Sequence, residues 1–220
     1  MIERELAIIL RSFPSDDTTA SVLTLQHGKI RLAFPRKGEH KSRIICPGSI
    51  VRGVLQRKKN TSWEILSPEV VWFAYTDQLK AFYSINHILE LSYYFLPLEE
   101  PSPSLFKLLY HTLFLCSYFA RTPETSSALR RMATAKFFVL LGFYPPHDLI
   151  KQVDIYDTIL GTYVDLPRAE KVQFVADVCN QIPADTTTML ENWITACIED
   201  HPCRKLFKTK RFLDSGLKNK

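Results

Sequence analysis

The spacing of hydrophobic positions changes once along this chain, near residue 75. Before that point apolar residues come in short runs divided by turn formers. Leu6-Ala7-Ile8-Ile9-Leu10 is the first run, ended by Arg11-Ser12, and Ser15-Asp16-Asp17 supplies turn residues before a second run over residues 20–25. His27-Gly28 predicts a tight turn into residues 29–34, which alternate: Ile30, Leu32 and Phe34 fall on an inner face, Lys29, Arg31 and Ala33 on an outer one. Residues 35–42 read as a basic, polar loop and residues 49–55 as a fourth strand. Lys59-Asn60-Thr61 turns the chain into residues 63–66, with Val70 and Val71 closing the unit. Five short strands joined by turns predict a small closed barrel, with a five-stranded OB-fold as the candidate.

After Tyr75 the period becomes helical. Leu79, Phe82, Ile85, Ile88, Leu89 and Phe95 recur at three- and four-residue spacing until Pro97 and Pro101 intervene. Ser102-Pro103 starts a second helix carrying Leu105, Leu108, Leu109, Leu113 and Leu115, and Thr122-Pro123-Glu124 repeats the start signal. That third helix runs through Leu129, Met132, Phe137, Phe138 and Leu141 to Gly142, a C-terminal cap, before Pro145-Pro146 stops it. Two further helices are predicted over residues 167–181 and 185–199. The fold class is therefore α+β: an N-terminal barrel domain over residues 1–75 and an all-helical domain over 76–220 with a basic C-terminal tail. No internal repeat or low-complexity linker separates them.

Charge changes this picture. The 220 residues carry a net charge of +5, and the excess is N-terminal. Residues 29–59 hold Lys29, Arg31, Arg36, Lys37, Lys41, Arg43, Arg52, Arg57, Lys58 and Lys59 against Glu39 alone. Residues 204–220 hold Arg204, Lys205, Lys208, Lys210, Arg211, Lys218 and Lys220 against Asp214. Isolated charge runs are usually solvated surface, but this density over one barrel segment suits a polyanionic partner. Lys29, Arg31, Arg36, Lys37, Lys41, Arg43, Arg57, Lys58 and Lys59, with Lys205, Lys208, Lys210 and Arg211, are the expected DNA contacts. Phe34, Trp63, Trp72 and Phe73 are the aromatics that could stack on bases; Phe34 is expected in the core, and Trp63, beside a basic turn, is the better candidate.

Catalytic signatures are missing. The seven glycines form neither a GxGxxG nor a GxxxxGK[ST] loop, no serine sits in a nucleophile elbow, and no HExxH occurs. The chain is not expected to be an enzyme or to hold a cofactor. Five scattered cysteines, Cys46, Cys116, Cys179, Cys197 and Cys203, do not resemble a disulfide framework and fit a reducing compartment. Cys179, Cys197, His201 and Cys203 are the residues to suspect for zinc, but their spacing matches no common zinc module and Cys197 lies among Ile194, Ala196 and Ile198, as a core cysteine does. No metal is expected. His87 and His111 fall within apolar helices and read as packing residues. No apolar run approaches the ~18 residues of a membrane span, and Met1-Ile2-Glu3-Arg4-Glu5 lacks the order of a signal peptide. A cytoplasmic location is expected.

The order of short motifs resembles the RecO DNA-repair family. Ala7-Ile8-Ile9-Leu10-Arg11-Ser12 is similar to that family's first strand, and Leu23-Thr24-Leu25-x-His27-Gly28-Lys29 to its strand-turn-strand element ending in Gly-Lys. Lys41-Ser42-Arg43 resembles its basic loop, and Phe138-Val139-Leu140-Leu141-Gly142-Phe143-x-Pro145 its helix-ending Leu-Leu-Gly-aromatic-x-Pro. Phe207-Lys208-Thr209-Lys210-Arg211-Phe212-Leu213 is similar to its C-terminal Leu-Lys-Ser-Arg-Arg-Phe-Leu. The resemblance implies an OB-fold followed by a helical domain. It implies binding of single- and double-stranded DNA, annealing of complementary strands, and work with RecR and single-stranded DNA-binding protein to load RecA at the nucleoid. It also suggests that the acidic, apolar C-terminal tail of single-stranded DNA-binding protein docks on the helical domain, where Arg130, Arg131 and Lys136 lie on a helix rich in Leu and Phe. One departure is plain: many members carry a four-cysteine zinc element after the Gly-aromatic-x-Pro stretch, and residues 146–178 here contain no cysteine. The alternative is a helical interaction scaffold whose β-domain binds a protein partner.

Overall fold

The computed structural model describes residues 4–13, 16–35, 46–58, 62–74, 76–165 and 168–209. Five strands, β1 (Glu5–Phe13), β2 (Asp16–Thr24), β3 (Gly28–Ala33), β4 (Ser49–Arg57) and β5 (Trp63–Phe73), close into a barrel in the order β1-β2-β3-β5-β4. All neighbours are antiparallel except β3 and β5, which meet in parallel only at Leu32↔Trp63 and Ala33↔Glu64. This is the five-stranded OB-fold that the strand spacing predicts. The alternation does the folding work. Ala7, Ile9, Ala20, Val22, Ile30, Leu32, Phe34, Val51, Trp63 and Ile65 fill one apolar interior, while Arg31 and Arg52 between them point to solvent.

Six α-helices follow among the described residues: α1 (Leu79–Phe95), α2 (Pro103–Tyr118), α3 (Pro123–Leu140), α4 (Ile150–Asp165), α5 (Arg168–Asn180) and α6 (Ala184–Glu199). Their ends follow local chemistry. The Ser102 hydroxyl accepts the Leu105 N–H at 3.4 Å, capping α2. Thr122 occupies the cap position of α3 with Pro123 at its first turn, although the Thr122 hydroxyl donates back to the Phe119 carbonyl. Gly142 ends α3 at φ +90°, with its N–H on the Val139 carbonyl and the Phe143 N–H on that of Phe138. That paired return needs the left-handed conformation glycine adopts freely.

One helix departs from the sequence expectation. No element was predicted over residues 150–165, yet α4 is there. Pro146 does stop α3, and it also leads into a 3-10 turn at His147–Leu149 that feeds α4. Leu149, Val153, Tyr156 and Ile159 are buried, an i, i+4, i+7, i+10 stripe readable as a helical face.

The chain divides into two compact units. One comprises residues 1–75 with 86–110; the other comprises 76–85 with 111–220. In the second, Tyr156 of α4 is fully buried with its hydroxyl 2.6 Å from the Thr112 hydroxyl of α2. The Phe138 ring meets Phe143 and Trp193 edge-on.

Candidate nucleic-acid interface

The basic segment of the barrel is partly on view. Arg31 stands on the outer face of β3, its guanidinium 5.0 Å from the centre of the Phe13 ring and 3.4 Å from the Thr19 hydroxyl. Arg57 and Lys58 lie at the exposed end of β4. Arg57 pairs with Glu99 at 3.1 Å and Lys58 with Glu64 at 3.0 Å, with about half of each cation exposed. Such exposed pairs are worth at most about 1 kcal/mol and exchange readily for other anions. Arg36, Lys37, Lys41, Arg43 and Lys59 lie outside the described residues.

Lys29 corrects an expectation. It does lie on the outer side of β3, as alternation requires, but it is only 8% exposed. Its Nζ donates to the Tyr93 carbonyl at 2.8 Å and lies 5.6 Å from the Tyr93 ring centre. A parallel bridge joins its backbone to Leu98, and the Glu99 N–H donates to the Lys29 carbonyl at 2.9 Å. Lys29 fastens residues 93–99 to the barrel. A three-residue alternation could not foresee this, because the covering segment lies more than sixty positions away.

Trp63 is corrected too. It is 9% exposed, within the barrel interior. His27 lies against it with ring centres 4.2 Å apart, and its Nε1–H donates to Glu99 Oε1 at 3.2 Å. No base can stack on a ring covered in this way. Among the described residues the exposed barrel aromatic is Phe73, at 40%, with Trp72 half-buried beside it.

The second basic block follows α6. Arg204–Leu206 form a 3-10 turn in which Lys205 is exposed; Lys208 is exposed too, while Phe207 between them is buried. The Phe207 ring meets that of His201 edge-on, which anchors this end. Lys210 and Arg211 lie outside the described residues. On α3, Arg131 pairs with Glu191 at 3.1 Å and Lys136 with Asp157 at 2.5 Å. Arg130 is half-buried on the same helix.

Residues 76–167, from before α1 to the end of α4, match the family model described as Recombination protein O C terminal. Over those residues the chain is similar to the RecO family. The helical match and the N-terminal OB-fold barrel agree with the architecture that the motif order implies. No curated protein matches the chain. Among the described residues no helix is long and apolar enough to cross a membrane.

The five cysteines are all unpaired thiols. Burial pushes Cys116 up to about 12, with Arg130 opposing. Burial likewise pushes Cys179 up to about 11 against the charge of Arg131, and raises Cys197 to about 11 with a further push from Asp200. Thiolate is the form that binds metal or attacks disulfides, so these three are held in the inert form. The Cys203 N–H donates to His201 Nδ1 at 3.1 Å, which uses that nitrogen within the chain. We expect Ellman's reagent at pH 8 to titrate two thiols quickly, the half-exposed Cys46 and Cys203, and the other three only after denaturation. Rapid reaction of four or five thiols in the folded protein would contradict this assignment.

Proposed function

We propose that this protein is a non-catalytic recombination mediator that acts in the cytoplasm at the nucleoid. It binds single- and double-stranded DNA, anneals complementary strands, and with RecR helps load RecA onto DNA covered by single-stranded DNA-binding protein. The observation that carries the reading is a closed OB-fold barrel, bearing the dense basic segment 29–59, on a chain whose residues 76–167 are a RecO C-terminal match. Arg31, Arg36, Lys37, Lys41, Arg43, Arg57, Lys58 and Lys59 hold phosphates, and Lys205, Lys208, Lys210 and Arg211 form a second basic patch that does the same. Lys29 serves as an anchor beneath it. Phosphate contacts carry no sequence information, so base edges stay free to find complementary partners. Residues 1–75 are the principal DNA-binding part, and residues 76–220 serve mainly as the protein-binding part, with the basic C-terminal block as a second DNA patch. An annealing assay with complementary oligonucleotides at two salt concentrations tests the proposal. Acceleration at low salt that fades at high salt is expected; no acceleration at either would refute it.

The α3 cations define the partner site in this reading. Arg130, Arg131 and Lys136 lie beside buried Phe137 and Phe138, and the acidic tail of single-stranded DNA-binding protein would exchange with Glu191 and Asp157 for them. Fluorescence anisotropy with a tail peptide at low salt is expected to show binding that weakens in the Arg130/Arg131/Lys136 triple alanine variant. No binding refutes the docking, and unchanged affinity in the variant refutes the residues.

One observation favours a second reading, a scaffold whose barrel binds a protein. Leu66, Val70, Val71 and Phe73 along β5 are each about 40% exposed, more apolar surface than a strand needs for closure. Gel shifts with two oligonucleotides of unrelated sequence separate the readings: the mediator retards both with similar affinity, and the scaffold retards neither.

A further inference from the structure

Glu99 presents two carboxylate oxygens to two different donors of the barrel. Its Oε1 accepts the Trp63 indole N–H at 3.2 Å, and its Oε2 lies 3.1 Å from the Arg57 guanidinium. Arg57 itself lies 5.7 Å from the centre of the Trp63 ring, so the donors converge on one spot. They are not equivalent in mobility to the group they hold. Trp63 is fixed by the barrel interior on one side and by His27 on the other. Glu99 sits on an exposed segment after α1, with the left-handed φ of +56° that a residue with a side chain rarely adopts. The donor pair is thus built into the barrel, and the Glu99 carboxylate, 43% exposed, is the part that can swing away while its backbone stays bonded to the Lys29 carbonyl.

A guanidinium and an N–H aimed at two oxygens of one anion fit the non-bridging oxygens of a phosphodiester as well as those of a carboxylate. We propose that Trp63 Nε1–H and Arg57 form a phosphate subsite on the barrel, which Glu99 fills until a nucleic-acid strand displaces it. The inference rests on the DNA-binding reading above and deepens it: it names one contact and makes the chain's own carboxylate the competitor. Nothing covalent is involved. The Glu99 side chain swings into water as the phosphate enters, and the cost of parting its carboxylate from Arg57 weakens binding at that point.

Charge neutralisation at this position is the test. Glu99→Gln keeps an oxygen for the indole but loses the ion pair, and is expected to tighten binding of a labelled single-stranded oligonucleotide about three- to fivefold at low salt, the range of an exposed pair. Glu100→Gln, one residue along and also exposed, removes the same net charge away from the donors and is expected to leave affinity within about 1.5-fold on the same scale. In an Arg57→Ala background the Glu99 effect is expected to vanish. The proposal is overturned if Glu99→Gln matches wild type, if Glu100→Gln gains as much, or if the gain persists without Arg57. Failure of the wild-type chain to bind the oligonucleotide would sink the DNA reading itself. The subsite falls with it unless Glu99→Gln alone restores binding.

Discussion

Replacing Gly28 with alanine is expected to destabilise the barrel unit by roughly 3 kcal/mol. Gly28 has φ +68°, and a Cβ built there lies 2.1 Å from the Glu100 carbonyl oxygen and 2.4 Å from its carbon. Two costs add. Alanine in the left-handed region loses about 1–2 kcal/mol. The 98–100 segment must also move off, losing the Lys29–Leu98 bridge, of which the Glu99 N–H bond to the Lys29 carbonyl is one half, at about 1 kcal/mol per bond. Gly142→Ala is the matched comparison, because Gly142 also has positive φ, +90°, but no atom lies within 4 Å of its built Cβ. It is expected to lose only the conformational part, about 1 kcal/mol. Thermal melts should separate them: a fall on the order of 10 °C for Gly28→Ala and a few degrees for Gly142→Ala. Equal falls would mean that the close approach of residues 98–100 to the barrel does not bear on stability.

What was legible in the sequence follows from range. Strand alternation in Ile30-Arg31-Leu32 and helical spacing in Leu79, Phe82, Ile85 and Ile88 are local signals, and both survive folding. The turn at His27-Gly28 and the cap at Gly142 are legible for the same reason: a left-handed residue leaves its mark at one position. Helix α4 escaped because Pro145-Pro146 reads as a stop, while its apolar stripe is spread among Asp154, Asp157 and β-branched residues of weak helix propensity. Lys29 and Trp63 show a different limit. Whether an outward lysine meets water, or an aromatic meets a base, depends on Tyr93 and Glu99, which the fold brings from 64 and 36 positions away. The five motifs that resemble RecO did indicate the two-part architecture, because their order reflects the whole chain rather than any one contact.

Alanine at Lys37, Lys41 and Arg43 together is expected to weaken binding to single-stranded DNA about 100-fold at 0.1 M salt, similarly for unrelated sequences. The magnitude comes from counterion release. Each phosphate neutralised on a single strand contributes about −0.7 to the slope of log K against log salt, so five contacts give roughly −3 to −4 and losing three flattens it by about 2. These residues lie outside the described part of the chain, between the strands β3 and β4 in sequence. Substitutions in a segment that the sequence reads as a polar loop are expected to leave stability nearly unchanged. The rival surface is the C-terminal block, of which exposed Lys205 and Lys208 are described. The decisive measurement is the salt dependence of single-stranded DNA affinity for wild type, the Lys37/Lys41/Arg43 variant and a Lys205/Lys208/Lys210/Arg211 variant side by side. A barrel-centred DNA surface predicts that the loop variant loses both affinity and slope while the C-terminal variant keeps most of each. Wild-type affinity and slope in the loop variant, with both lost in the C-terminal one, would contradict it.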